Sequence, residues 1–175
     1  LLERLEHKDL STFLIDLLDH PVPEVRQDAL VRIQDVEFAV AFSAVRSRIE
    51  HDEDPQVRAE ALKALCALGE AEVVDYVTPY LEHSDPEICL GATVGLLRNG
   101  GIDGVLLAGN RLLETSNSAL PAERIFAART LGEVGIRSFY RPLLGLLQDN
   151  DPGVRRAALV AAAEIRSPRL WPLVL

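Results

Sequence analysis

The chain is 175 residues long, 48% apolar, 26% charged and 5% aromatic, with a formal net charge of −9. An apolar share of that size supports a folded core and excludes intrinsic disorder. The longest uncharged run, Ile88 to Leu97, has ten residues, about half of what a membrane-crossing helix needs, so no direct membrane insertion is expected.

Taken in chain order, the sequence is a series of helix pairs. Candidate first helices are Ser11–Leu18, Phe38–Ile49, Val73–Leu81, Ile102–Leu113 and Ser138–Leu147, each with an apolar stripe at helical spacing. A second helix follows each one and opens on proline, at Pro23, Pro55, Pro86, Pro121 and Pro152, in steps of 32, 31, 35 and 31 residues. The string Asp54-Pro55-Gln56-Val57-Arg58 returns as Asp85-Pro86-Glu87-Ile88-Cys89 and Asp151-Pro152-Gly153-Val154-Arg155, with looser copies from Val22 and Leu120. Aspartate before proline is an N-cap followed by a first-turn proline. Alanine stands six residues after every proline, at Ala29, Ala61, Ala92, Ala127 and Ala158, where a small side chain lets helices approach. Glycine stands fourteen after three of them, at Gly69, Gly100 and Gly135, and suits a left-handed C-cap. No sustained period-two alternation suggests strands. The expected fold is all-α, an α-α superhelix (α-solenoid) of about five helical hairpins, over 10–36, 37–70, 71–101, 102–136 and 137–166. Residues 167–175 read as the start of a further repeat. With no methionine, even at position 1, the chain is expected to be a single repeat domain from a longer polypeptide.

These strings resemble the HEAT family, in particular its short bacterial variety of phycobilin-lyase type, over nearly the whole chain. The resemblance implies a ladder of aspartates and arginines pairing between neighbouring repeats, here Asp54, Asp85 and Asp151 with Arg26, Arg58, Arg124 and Arg155. Cys89 replaces an arginine, and Val22 and Leu120 replace aspartates, so the ladder is expected to be incomplete. From Glu123-Arg124 through Phe139-Tyr140-Arg141-Pro142 and Val154-Arg155-Arg156 to Leu170-Trp171-Pro172, the C-terminal third resembles a particular bacterial arrangement. There, a cytoplasmic HEAT region lies between a nucleotide-transporter-like membrane domain and a cyclic-nucleotide-binding domain. The implied role is a non-catalytic interaction or intramolecular scaffold module, cytoplasmic, with a protein or another domain of the same chain as partner. The alternative is an enzyme or ligand-binding protein of the phycobilin-lyase type.

Chemistry is sparse. Phosphate-binding glycine loops and the nucleophile elbow are absent, and no paired His-Glu dipeptides occur, so no catalytic residues, metal or cofactor are expected. His20, His51 and His83 recur just before the motif; they read as polar turn residues, with a weak metal row as the competing reading. Cys66 and Cys89 lack CxxC spacing and read as small buried hydrophobes in a reducing compartment. Through residue 87 there are 20 acids against 8 bases, and afterwards 7 against 10; the overall pI near 4.9 argues against general nucleic-acid affinity, so no nucleic-acid partner is expected.

Counting from the motif proline, offsets 2, 6, 7 and 10 face the core and offsets 4, 5 and 8 the inner wall. That wall is polar or acidic early, at Asp28 and Glu60, apolar in the middle, and basic-apolar late, where Arg156, Ala157 and Val160 follow Ile125, Phe126 and Arg129. Leu90, Val94, Ile125 and Phe126, with Arg129 beside them, are the expected partner-binding residues. Phe126 has two readings: an anchor in the groove, or a core residue shifted inward by the 35-residue step.

Overall fold

The computed structural model describes residues 2–36, 39–69, 72–136 and 139–166, and the regular structure among them is entirely helical. In chain order the helices are α1 (Leu2–Leu17), α2 (Pro23–Val36), α3 (Phe42–His51), α4 (Pro55–Leu68), α5 (Val73–Val77), α6 (Pro86–Asn99), α7 (Gly101–Ser116), α8 (Pro121–Val134), α9 (Tyr140–Leu147) and α10 (Pro152–Ile165). A 3₁₀ turn at Ala39–Ala41 leads into α3, and another at Thr78–Glu82 prolongs α5. The expected further repeat at 167–175 lies outside the described residues.

Each motif proline is the first residue of its helix. The Asp54 carboxylate accepts from the N–H groups of Gln56 (2.8 Å) and Val57 (3.2 Å). Asp85 and Asp151 do the same for Glu87 and Ile88, and for Gly153 and Val154. Leu120 caps α8 without a side-chain bond. At the other ends, Gly69 and Gly135 adopt φ of 70° and 65°, as a left-handed C-cap requires. Gly100 does not; its φ is −79° and the left-handed residue is Gly101, at 61°. Gly100 is needed for a different reason, since a Cβ there would lie 2.7 Å from the Leu96 carbonyl oxygen.

The chain forms two compact units, Leu1–Val105 and Leu106–Leu175, with α7 running from the end of the first into the second. In the first, α2 packs on α4 and α4 on α6, while α3 lies against α4 and the 3₁₀ turn after α5 against α6. In the second, α10 packs on α8 and on α9. The repeated alanine is the seam of this packing: all five copies are at most 1% exposed. Leu30, Ile33, Leu62, Leu65, Leu96, Leu131 and Ile165 complete the cores beside it. Burial of one such side chain contributes about 1.5–3 kcal/mol, which explains why so aromatic-poor a chain folds.

Candidate functional site

The turns before the second helices share one device. The residue three before each motif proline accepts the N–H of the residue two further on. His20 does so through Nδ1 for Val22 (3.1 Å), Asp52 for Asp54 (3.0 Å), His83 through Nδ1 for Asp85 (3.0 Å), Ser118 for Leu120 (3.1 Å) and Asp149 for Asp151 (2.8 Å). His20 and His83 therefore carry the turn geometry that Asp52, Ser118 and Asp149 carry elsewhere. His51 instead lies 3.1 Å from the Ser47 carbonyl oxygen.

The same position corrects the ladder. Asp54, Asp85 and Asp151 engage their carboxylates with helix N–H groups and pair with no arginine of a neighbouring repeat among the described residues. The acids that do pair are Asp52 and Asp149. Arg26 binds Asp52 bidentately at 2.8 and 2.7 Å, and Arg124 binds Asp149 at 2.7 and 2.9 Å. Arg48 adds a contact to Asp19 at 3.1 Å. The Arg124 guanidinium holds the Asp149 carboxyl below its usual range, outweighing the opposing effect of burial. The hydrogen bond to Asp52 raises Arg26 in the same way. His83 occupies the position where the other two turns have the pairing acid, and Arg58 donates to the Ile49 carbonyl oxygen (2.8 Å). Arg155 donates to the carbonyls of Asp149 (2.7 Å) and Asn150 (2.9 Å). Sequence reasoning chose the aspartate next to proline; the pairing acid is two residues earlier, and only its recurrence at 52 and 149 signals it.

The expected wall divides. Leu90 and Val94 are 2% and 0% exposed, so they are not on a wetted surface. Offset 4 is closed in α4 as well. Ala59 at that offset lies against Gly91, where a Cβ would come within 2.6 Å of the Ala59 Cα. Every residue of α6 from Ile88 to Leu97 is buried. Phe126 is half-buried and does not line the groove described next. Ile125 and Arg129 do.

They belong to a groove of about 420 Å³ in the second unit, between α8 and α10. Ile125, Arg129 and Glu133 line it from α8, at offsets 4, 8 and 12. Gly153, Arg156, Ala157, Val160, Ala161 and Glu164 line it from α10. Its floor is small and apolar, and Val160 is 57% exposed at its edge. Along each helix the arginine precedes the glutamate, Arg129 before Glu133 and Arg156 before Glu164. Sequence reasoning places Arg156, Ala157 and Val160 on the same late wall as Ile125 and Arg129, but counts only the two α8 residues among the partner-binding ones.

Burial pushes the Cys66 thiol up to about 12, far from a reactive thiolate. Cys89 is buried and donates to the Leu81 carbonyl oxygen at 3.0 Å. Among the described residues, no group of three or more His, Cys, Asp or Glu could hold a metal ion, and no helix is long and apolar enough to cross a membrane.

Paired helices repeating at about 32 residues, with proline-opened second helices and an alanine seam, define an all-α repeat protein of the α-solenoid class. A family model for HEAT repeats matches residues 42–101 and 110–175, more than half of the chain. The chain belongs to the HEAT-repeat family, whose members are generally protein-interaction and scaffold modules and typically non-catalytic. No curated protein matches it.

Proposed function

We propose that this chain is a non-catalytic scaffold module that docks a protein segment in the groove between α8 and α10. The observation that carries the reading is the groove itself: about 420 Å³, apolar-floored, wetted and edged by four charged side chains within one compact unit. Its volume falls in the range of ligand-holding clefts, roughly 300–1,000 Å³, and suits a few inserted side chains rather than a whole domain. Ile125 and Arg129 are its α8 contributors, and Arg156 and Val160 face them from α10.

The finer reading is that the partner is another domain of the same cytoplasmic polypeptide, this module being the regulatory region of a bacterial transporter-like protein. Its support is the resemblance carried by Glu123-Arg124, Phe139-Tyr140-Arg141-Pro142 and Val154-Arg155-Arg156. Five hairpins acting as one HEAT-like domain belong to the same reading.

The test is site-specific photocrosslinking in the native cell, with a benzophenone side chain at Val160 and a control at Arg141, which is exposed on α9. The expected result is one discrete adduct from position 160 and none from 141; mass spectrometry then separates a partner protein from a domain of the same chain. Equal, diffuse labelling from both positions would remove the groove as a docking surface.

A further inference from the structure

The charges of the groove have an order, and the order constrains what enters it. On α8 the sequence along the wall is Ile125, Arg129, Glu133; on α10 it is Gly153, Arg156, Val160, Glu164. The two helices run the same way through their contact, since Gly153 meets Ile125 near both N-termini and Gly132 meets Ala161 further on. Both cations therefore precede both anions along the groove. Arg129 and Glu133 are four residues apart, about 6 Å of rise, and Arg156 and Glu164 eight residues apart, about 12 Å. The floor between them includes Ala157 and Ala161, small enough for a backbone to approach closely, with Val160 exposed at the edge.

Resting on the docking reading above, we propose that the occupant is an amphipathic helix bearing one carboxylate and one basic side chain about seven residues apart. Its apolar face lies on Ile125, Ala157 and Val160. Its carboxylate meets Arg129 and Arg156, and its cation meets Glu133 and Glu164. A seven-residue separation is two turns, about 10 Å, and keeps both charges on the face that carries the apolar anchors. Charge complementarity of this bipolar kind fixes direction as well as affinity: a helix with the two charges exchanged must lie in reverse or not at all. A uniformly acidic or basic partner matches only half of the wall and is repelled by the other half.

The experiment pans a displayed library of scaffolded single helices, randomised on one face, against the full 175-residue chain. Binders are then re-measured on exposed-site variants, which leave the core untouched. The expected result is enrichment of an acid and a base seven apart in one order. Binding should fall about tenfold on Arg156→Glu, and recover with the opposite charge order only when both ends are exchanged, on Arg129→Glu/Arg156→Glu/Glu133→Lys/Glu164→Lys. Binders that lose affinity on Val160→Asp but ignore Arg156→Glu and Glu164→Lys overturn the charge assignment and leave the docking groove standing. A panel in which nothing responds to Val160→Asp overturns the groove as well.

Discussion

The α4–α6 contact of the first unit and the α8–α10 contact of the second use the same offsets and end differently. In the first, offsets 5 and 9 of the incoming helix are Gly91 and Gly95, and offset 4 of the receiving helix is Ala59. A Cβ at Gly91 would lie 2.5 Å from the Ala59 carbonyl oxygen, so these backbones touch and the wall is sealed. In the second, offsets 5 and 9 are Ala157 and Ala161, and offset 4 is Ile125, whose Cδ1 reaches toward Gly153. Here Gly132 lies against Ala161, whose Cα a Cβ at 132 would meet at 2.9 Å, and a groove of about 420 Å³ stays open between the helices. Two methyl groups and one isoleucine separate a closed seam from a docking surface. The repeat pattern alone decides which helices meet; side-chain size at three offsets decides whether anything else can meet them.

The comparison breaks most visibly at Gly91. Gly91→Ala places a methyl group into the Ala59 backbone, which cannot swing aside as a side chain can, and is expected to cost about 3 kcal/mol. At the same offset of the second unit, Ala157→Gly removes a methyl group from a partly open position. It is expected to cost about 1 kcal/mol, mainly through helix propensity. Urea titrations of both variants check this; equal losses would mean that the seam and the groove are packed alike.

Next in size is the rung that closes the first unit's turns. Arg26→Ala leaves the Asp52 carboxylate, 2% exposed, without its bidentate partner and is expected to cost about 2 kcal/mol. Arg58→Ala removes one bond to the Ile49 carbonyl and is expected to cost about 1 kcal/mol. The second unit has the more open rung. Because the folded-state value of Asp149 is lowered, its contribution is fully present above the ordinary carboxylate range and disappears as pH falls through that lowered value. The stability gap between the native chain and Arg124→Ala should therefore be constant near neutrality and close in acid. A gap that persists at pH values where carboxylates are protonated would assign the Arg124 effect to its carbonyl contacts at Ser118 and Ala119 instead.

Much of this architecture is legible in the sequence because it is written five times. Proline steps, the alanine six residues on and the capping aspartates each report a backbone requirement, and backbone requirements repeat. The groove is legible only in part. Ile125 and Arg129 stand out as wall residues, whereas Leu90 and Val94 occupy the same offsets and are buried. Offset alone cannot separate them: offset 4 is buried at Ala59 and Leu90 and open at Ile125 and Arg156. Phe126 shows the same limit: half-buried beside the groove, it follows neither of the two patterns its offset allows. The ladder fails for another reason. Asp54 and Asp52 are both near Arg26 in sequence register, and only the cap geometry of Asp54 shows that its oxygens are already engaged.

The smallest effect sharpens the comparison of rungs. Position 83 is the turn acceptor that stands where Asp52 and Asp149 stand, and Arg58 stands where Arg26 and Arg124 stand. Asp149 lies 25 residues beyond Arg124, and His83 lies 25 beyond Arg58. His83→Asp should keep the bond from the Asp85 N–H, since aspartate fills this role in two other turns, and should also offer Arg58 a carboxylate. Half-exposed ion pairs contribute little, and the ring stacked on Tyr80 is lost, so the expected net gain is only about 0.5 kcal/mol. His83→Asn retains the turn acceptor without the charge and isolates the rung. A double-mutant cycle that sets His83→Asp against His83→Asn, each with Arg58 intact and with Arg58→Ala, measures the pair directly. Coupling between the carboxylate introduced by His83→Asp and the Arg58 guanidinium would show that this turn lacks a rung only for want of an acid. Zero coupling would mean that the Ile49 carbonyl already holds Arg58 where no carboxylate at position 83 can reach it.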